Sequence, residues 1–145
     1  MFRFRLVRLL AYRRLREALS EQKLLQQQQQ LQQAEATLAR LHNDCRGVEA
    51  QLYASQGATL SGDELLQWRQ YYQALDQRVS AQKSAIVDAT NAVEASRHEL
   101  VTARQQKKML EKLQSRAHAH YRKEQTYREQ RTVDELVTAR FHHER

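Results

Sequence analysis

Apolar or small residues, with a few polar ones, recur along the chain at alternating intervals of three and four residues. The first series is Leu24, Gln27, Leu31, Ala34, Leu38, Leu41, Cys45, Val48 and Leu52. The second is Trp68, Tyr72, Leu75, Val79, Gln82, Ile86, Ala89, Val93 and Ser96, continuing to Leu100, Ala103 and Leu110. This spacing is that of a heptad repeat, in which one stripe of a helix packs against a partner helix. The pattern predicts two long helices.

One short segment between the two series, residues 56–62, has the composition of a turn. Gly57 can adopt the left-handed conformation that ends a helix. Ser61 followed by Glu64 has the spacing of a capping box, which starts a helix. The flanking residues are mostly strong helix formers. We therefore expect a single coiled-coil domain over residues 1–145, with helices from about 3 to 55 and 63 to 136 and a frayed C-terminal tail.

Pairing the first series, taken backward from Leu52, with the second, taken forward from Trp68, gives residue numbers that always add to 120, from 52 with 68 to 24 with 96. A constant total is typical of an antiparallel hairpin folded about residue 60. The fold class expected is all-α, a long antiparallel two-helix coiled-coil hairpin with a C-terminal helical overhang beyond about residue 120. Because Tyr12, Leu15 and Leu19 leave the heptad phase, we also expect a local stutter before Leu24.

The net charge of +7 is distributed unevenly along the chain. Residues 1–16 contain six arginines and no acidic residue, residues 17–96 are mildly acidic, and residues 97–145 are basic again. A hairpin brings the two basic segments together. Such a patch suits an acidic protein surface, nucleic acid or anionic lipid.

Chemistry-bearing patterns are weak throughout the sequence. Three glycines and no proline leave no glycine-rich phosphate loop, and the one cysteine, Cys45, falls on the heptad stripe. The six histidines have no metal-ligand spacing. We expect no catalytic, cofactor-binding or metal site, and no enzyme activity. The lone cysteine suits a reducing, cytoplasmic location, and no segment is long and apolar enough to span a bilayer.

An aromatic group follows the turn. Trp68 and Tyr72 fit the heptad stripe, but Tyr71 lies off it near Leu65, and we expect Leu75 to be partly reachable. Exposed aromatic residues are candidate anchors for a partner protein.

Several short strings resemble the FliJ family, small cytoplasmic stalk proteins of the bacterial flagellar export apparatus. They are Phe4-Arg5-Leu6, Leu9-Leu10 and Tyr12-Arg13 at the start, Trp68, Tyr71 and Leu75 after the turn, Lys108-Met109-Leu110-Glu111-Lys112-Leu113, and Arg128-Glu129-Gln130-Arg131 with Asp134-Glu135 near the end. Their order, spacing and total length carry the resemblance along nearly the whole chain.

The resemblance implies a non-enzymatic stalk that couples the hexameric export ATPase to the transmembrane export gate and is linked to export chaperones. It also implies a cytoplasmic location at the inner face of the membrane. The residues expected to contact the ATPase ring are Arg3, Arg5, Arg8, Arg13, Arg14, Lys107, Lys108, Lys112 and Arg116. Those expected to contact the gate are Leu41, Tyr71 and Leu75. The family often has tyrosines after the position of Leu41, whereas this chain has Asp44 and Val48.

Two alternatives remain open from the sequence. A basic helical hairpin can bind nucleic acid with a steep salt dependence, although Glu111, Glu124 and Glu129 interrupt the patch. A general coiled-coil adaptor whose overhang binds an unrelated partner fits the same pattern.

Overall fold

A computed structural model describes residues 1–55 and 61–144 of the chain. It contains two helices, α1 (Val7–Ala54) and α2 (Gly62–His143), and no strand among the described residues. The all-α helical hairpin is confirmed. The predicted turn, which includes Gly57, falls largely on residues 56–60, and these lie outside the described residues.

The start of α1 and the end of α2 both lie later in the sequence than the pattern predicts. α1 begins at Val7 rather than near residue 3, and the Val7 N–H donates to the Phe4 carbonyl in the preceding turn. Its first turn holds no acidic residue, and Arg8 there opposes the helix dipole. α2 continues to His143 rather than ending near 136, because no glycine or proline interrupts it and Arg140, His142 and His143 suit a helix C-terminus.

The start of α2 follows the predicted capping pattern. The Glu64 N–H donates to Ser61 Oγ at 3.3 Å, and the Leu65 N–H donates to the Ser61 carbonyl at 3.2 Å. Asp63 and Glu64 place negative charge in the first turn, where the helix dipole favours it. The sequence signal for this helix start is therefore confirmed in its hydrogen bonds.

The chain forms two compact units. The terminal unit consists of Met1–Ala18 and Val101–Arg145, and the central unit of Leu19–Leu100. In the central unit the buried side chains include Val48, Leu75, Val79 and Val93, all members of the heptad series. The hydrophobic core of this unit therefore runs along the predicted helix stripe.

Cross-helix hydrogen bonds in the central unit follow the predicted antiparallel register. The pairs are Lys23 with Glu99, Glu49 with Tyr72, and Ala34 with Gln82, and their residue numbers add to between 116 and 122. Gln82 Nε2 donates to the Ala34 carbonyl at 2.9 Å, so this polar stripe residue has a partner within the seam.

The terminal unit has the same register. Its buried side chains are Leu10, Ala103 and Leu110. The cross-helix pairs that define its register are Phe2 with His118, Arg13 with Gln106, and Glu17 with Arg104. These residue numbers add to between 119 and 121, within one of the predicted total. Three further pairs, Phe2 with Tyr121, Glu17 with Lys107 and Arg14 with Glu111, add to between 123 and 125.

The expected stutter before Leu24 is wrong. Burial along α1 keeps the interval of three and four through Leu10, Arg13, Glu17, Ser20 and Leu24. The stripe is continuous because polar residues occupy it where apolar ones were expected. The apolar residues that suggested a phase change are instead exposed, namely Tyr12, Leu15 and Leu19.

α2 extends beyond its pairing with α1. Every described residue from 126 to 144 is exposed, and we call this segment the overhang. Its exposed apolar side chains are Tyr127, Val133, Leu136, Val137 and Phe141. Among the described residues, neither helix has a stretch apolar enough to cross a lipid bilayer.

Candidate interaction surfaces

The two compact units differ sharply in charge. The terminal unit contains 17 lysines and arginines and 7 aspartates and glutamates, a net charge of +10. The central unit contains 7 basic and 10 acidic residues, a net charge of −3. All nine residues expected to contact an ATPase ring lie in the terminal unit, so its surface is the basic candidate site.

Arg13 and Arg14 are both engaged with α2. Arg13 is half-buried in the seam, where its Nη1 donates to Gln106 Oε1 at 2.6 Å and its guanidinium lies 5.7 Å from the centre of the Tyr12 ring. Arg14 is exposed and lies 3.8 Å from a Glu111 carboxylate oxygen. Arg13 therefore contributes to packing between the helices, while Arg14 keeps most of its surface in water.

Glu17 forms an ion-pair cluster with α2. Its carboxylate accepts a hydrogen bond from Arg104 Nε at 3.4 Å and pairs with Lys107 Nζ, and only 15% of its side chain is exposed. The hydrogen bond from Lys107, reinforced by both positive charges, lowers the pKa of Glu17 below its ordinary value of 4.5, against an opposing effect of burial. Lys107 is thus held inside the unit.

Sequence reasoning missed this role of Glu17. The signal was available, since Glu17 lies seven residues from both Leu10 and Leu24, in the heptad phase of the stripe. Their apolar character favours Leu15 and Leu19 for the buried stripe, but only the charged Glu17 is in its heptad phase.

Lys108, Lys112 and Arg116 remain exposed and lie on one face of α2. They are spaced four residues apart, which places them in a row along the helix. Ser115 and Glu111 line the same shallow groove. Three of the predicted basic residues therefore form a row accessible to a partner.

The N-terminal arginines are exposed beside an anchored chain start. Phe2 packs edge-on against His118, with ring centres 5.0 Å apart, and lies 5.5 Å from the Tyr121 ring. Arg3, Arg5 and Arg8 follow, all exposed. The basic candidates therefore divide into exposed residues and two half-buried ones, Arg13 and Lys107.

The aromatic candidates lie in the central unit. Tyr71 is 48% exposed, and its ring is inclined at 75° to that of Trp68, with the ring centres 6.3 Å apart. The Tyr72 hydroxyl donates to Glu49 Oε1 at 3.0 Å, and this hydrogen bond to a carboxylate raises the pKa of Tyr72 above 10. Tyr71 is thus presented at the surface beside the Trp68 ring.

The expectation that Leu75 is partly reachable is wrong. Leu75 is only 2% exposed, because its heptad position points it into the seam opposite the small residue Cys45. Leu41 is half-buried. Exposed apolar surface near Tyr71 comes instead from Leu65 and Leu66, which are 53% and 54% exposed.

The described residues hold no cluster of three or more histidine, cysteine, aspartate or glutamate side chains that could bind a metal ion.

Comparison with protein families gives one match relevant to these surfaces. A family model described as flagellar FliJ protein matches residues 1–145, which include both units and both candidate surfaces. Comparison with curated proteins and with solved structures gives no match. The resemblance seen in the short sequence strings is thereby confirmed over the whole length of the sequence.

Proposed function

Because this chain belongs to the flagellar FliJ family and is therefore a flagellar export protein, we propose that it is a non-enzymatic stalk of the export apparatus. In this proposal it couples the hexameric export ATPase to the transmembrane export gate and is linked to export chaperones. It acts in the cytoplasm, at the inner face of the membrane. The exposed basic residues contact the ATPase ring, and the surface around Tyr71 contacts the gate.

The observation that supports this proposal best is the separation of charge. One unit has a net charge of +10 and the other −3. A strongly basic surface favours association with an acidic partner and raises the rate of encounter. The aromatic surface at Tyr71 belongs to the other unit, so two partners of different chemistry can each have a separate contact.

The ring contact is tested by reversing charge on the exposed row of α2. The K108E/K112E/R116E variant should bind the purified export ATPase at least about tenfold more weakly, since rim charges steer and orient a partner. It should also lose any effect on ATP turnover. The matched control is R40E/R69E/R78E, which changes net charge equally at exposed positions of the central unit. Equal losses in both variants would reduce the ring contact to a general charge effect.

Two of the residues predicted to contact the ring are half-buried and would affect binding indirectly, through the packing of the helices. Arg13 and Lys107 are held by Gln106 and Glu17, so we propose that they position the exposed arginines and lysines. Reversing Arg13 would disturb packing as well as binding, which makes the exposed row the cleaner test.

The gate contact is tested at Tyr71. Because exposed aromatic side chains dominate many interfaces, Y71A should weaken binding to the cytoplasmic part of the gate protein about tenfold or more. Y53A is the matched control, since Tyr53 is also an exposed tyrosine of the central unit, at 78%. We propose that Leu41, which is half-buried, belongs to the same contact, and that the buried Leu75 supports it from within the seam. Unchanged gate binding by Y71A would remove the tyrosine from the proposed contact.

A further inference from the structure

The side of α1 turned away from the seam in the terminal unit mixes arginines with large apolar side chains. We call it the outer α1 face, formed by Arg8, Leu9, Tyr12, Leu15 and Arg16. Leu9, Tyr12 and Leu15 are 39%, 50% and 57% exposed, and both arginines are exposed. At 3.6 residues per turn Arg8, Tyr12 and Leu15 point away from the buried side of the helix, and Leu9 and Arg16 flank that side. No part of the terminal unit's seam covers them.

This face carries positive charge and no negative charge. Residues 1–16 include no aspartate or glutamate, and the next acidic residue, Glu17, is directed into the seam with Arg104 and Lys107. Within the described part of the chain, Arg8, Arg16 and the preceding Arg5 form no ion pair. Their guanidinium groups are therefore available to an anionic ligand.

The arrangement of the side chains favours one kind of ligand. A polyphosphate would pair with the arginines but leave Tyr12 and Leu15 in water. A protein groove that took these two residues would also bury Arg8, whose direction lies between theirs on the helix, at a large desolvation cost. At a bilayer surface the apolar side chains enter the headgroup boundary while the arginines extend back to the phosphates.

We propose that the outer α1 face binds anionic phospholipid, with α1 lying along the membrane surface. Positive charge near an anionic leaflet strengthens binding, and the net charge of +10 on this unit disfavours a second copy of the same unit as the occupant. The proposal does not rest on the stalk function. It adds a direct lipid contact of the protein itself.

The two helices of the terminal unit leave a second face for other partners. Each helix turns its seam side toward the other, so the row of Lys108, Lys112 and Arg116 on α2 lies away from the outer α1 face. Lipid on α1 would not cover that row. Arg5 and Arg8 also belong to the residues proposed to contact the ring, so lipid and ring would compete for these two arginines but not for the row. Ring binding through the row in solution and vesicle binding can therefore be measured separately, and either can fail while the other stands.

The experiment is co-sedimentation of the purified full chain with vesicles. We expect binding to vesicles of about 30% phosphatidylglycerol in phosphatidylcholine, and binding at least about tenfold weaker to phosphatidylcholine alone, because the anionic headgroups attract the arginines. Equal binding to both compositions, or none to the anionic vesicles, would overturn the proposal.

Two variants test the two chemistries of the face. R5Q/R8Q/R16Q and Y12S/L15S should each lose about tenfold or more of the binding to anionic vesicles. The controls R40Q/R69Q/R78Q and L25S/V87S make the same changes at exposed positions of the central unit and should stay within about twofold of the unaltered chain. Circular dichroism checks that helix content is preserved. Controls as weak as the test variants would overturn the assignment to α1.

A spectroscopic measurement separates insertion from surface attraction. In a W68F background, Y12W should show a blue-shifted emission with anionic vesicles, because the ring enters the headgroup boundary. A tryptophan emission that does not shift with anionic vesicles would contradict the proposed insertion of this face into the headgroup boundary. Tight binding to duplex DNA that Y12S/L15S leaves unchanged, together with no binding to anionic vesicles, would assign the arginines to nucleic acid instead.

Discussion

Glu17 shows how one side chain in the seam determines whether its neighbours are buried or exposed. It accepts from Arg104 and pairs with Lys107 across the helix interface, and it is mostly buried. A mostly buried carboxylate is tolerated when positive groups compensate its lost hydration. Because Glu17 takes this stripe position, the apolar residues beside it are turned outward.

Replacing Glu17 should make stability less dependent on acid. The lowered pKa means that the ionised carboxylate stabilises the fold; this contribution is complete above the unfolded value of about 4.5 and is lost as pH falls toward the folded value. E17Q should therefore be less stable than the unaltered chain at pH 7, with the difference shrinking at lower pH. Urea unfolding at several pH values measures both.

E35Q is the control, since Glu35 is an exposed carboxylate of the same helix. It should leave the free energy of unfolding within about 0.5 kcal/mol at every pH. A constant difference between E17Q and the unaltered chain from pH 7 to acid would contradict the ion-pair account.

At the scale of the element, α2 is longer than its packing requires. Its paired part ends near Tyr121 and Gln125, and the overhang continues as helix with its apolar residues exposed. Residues in heptad phase beyond Tyr121 are polar, such as Arg128, Arg131 and Glu135. The seam pattern therefore stops in the sequence at the same place as the packing against α1.

Removal of residues 126–145 should leave the remaining fold as stable as before. The described residues of this segment bury no side chain, and exposed surface contributes little to stability. Thermal unfolding followed by circular dichroism should shift by no more than about 2–4 °C. As a control, removal of residues 1–6 deletes the Phe2 contacts with His118 and Tyr121 and should lower the midpoint clearly. A large loss from the C-terminal deletion would show that the overhang packs on the chain.

Considered as a whole, the molecule is two helices in antiparallel register, with chemistry divided between its units. The heptad spacing predicts the register, and the observed cross-helix pairs have residue numbers that add to between 116 and 125. The division of charge follows from which segments the register brings together. The register therefore decides the division of charge as well.

Cross-linking in the central unit tests this register. In a C45S background, L31C/A89C should be joined within one molecule by a short bis-maleimide, because the two positions face each other. L31C/V79C is the control, since a shift of ten residues along α2 moves the second thiol by about 15 Å. Linkage of the control pair in preference to the first would refute the register.

The sequence by itself predicted both helices, the cap at Ser61, the heptad stripe and the antiparallel register. These features are local or periodic, so propensity and spacing express them without knowledge of the partner helix. The basic surface was also predictable, because the register alone brings the arginines of residues 1–16 beside the lysines of α2.

Tertiary structure decided which side chains in those segments are accessible. Arg13 and Glu17 enter the seam because Gln106, Arg104 and Lys107 on the other helix satisfy them, and no local pattern encodes such long-range partners. Leu75 is inaccessible to a partner for the same reason, since its burial depends on the residues opposite it on α1. Periodicity determines which positions share a face, but whether a polar or an apolar residue occupies the interior depends on what the partner helix offers it.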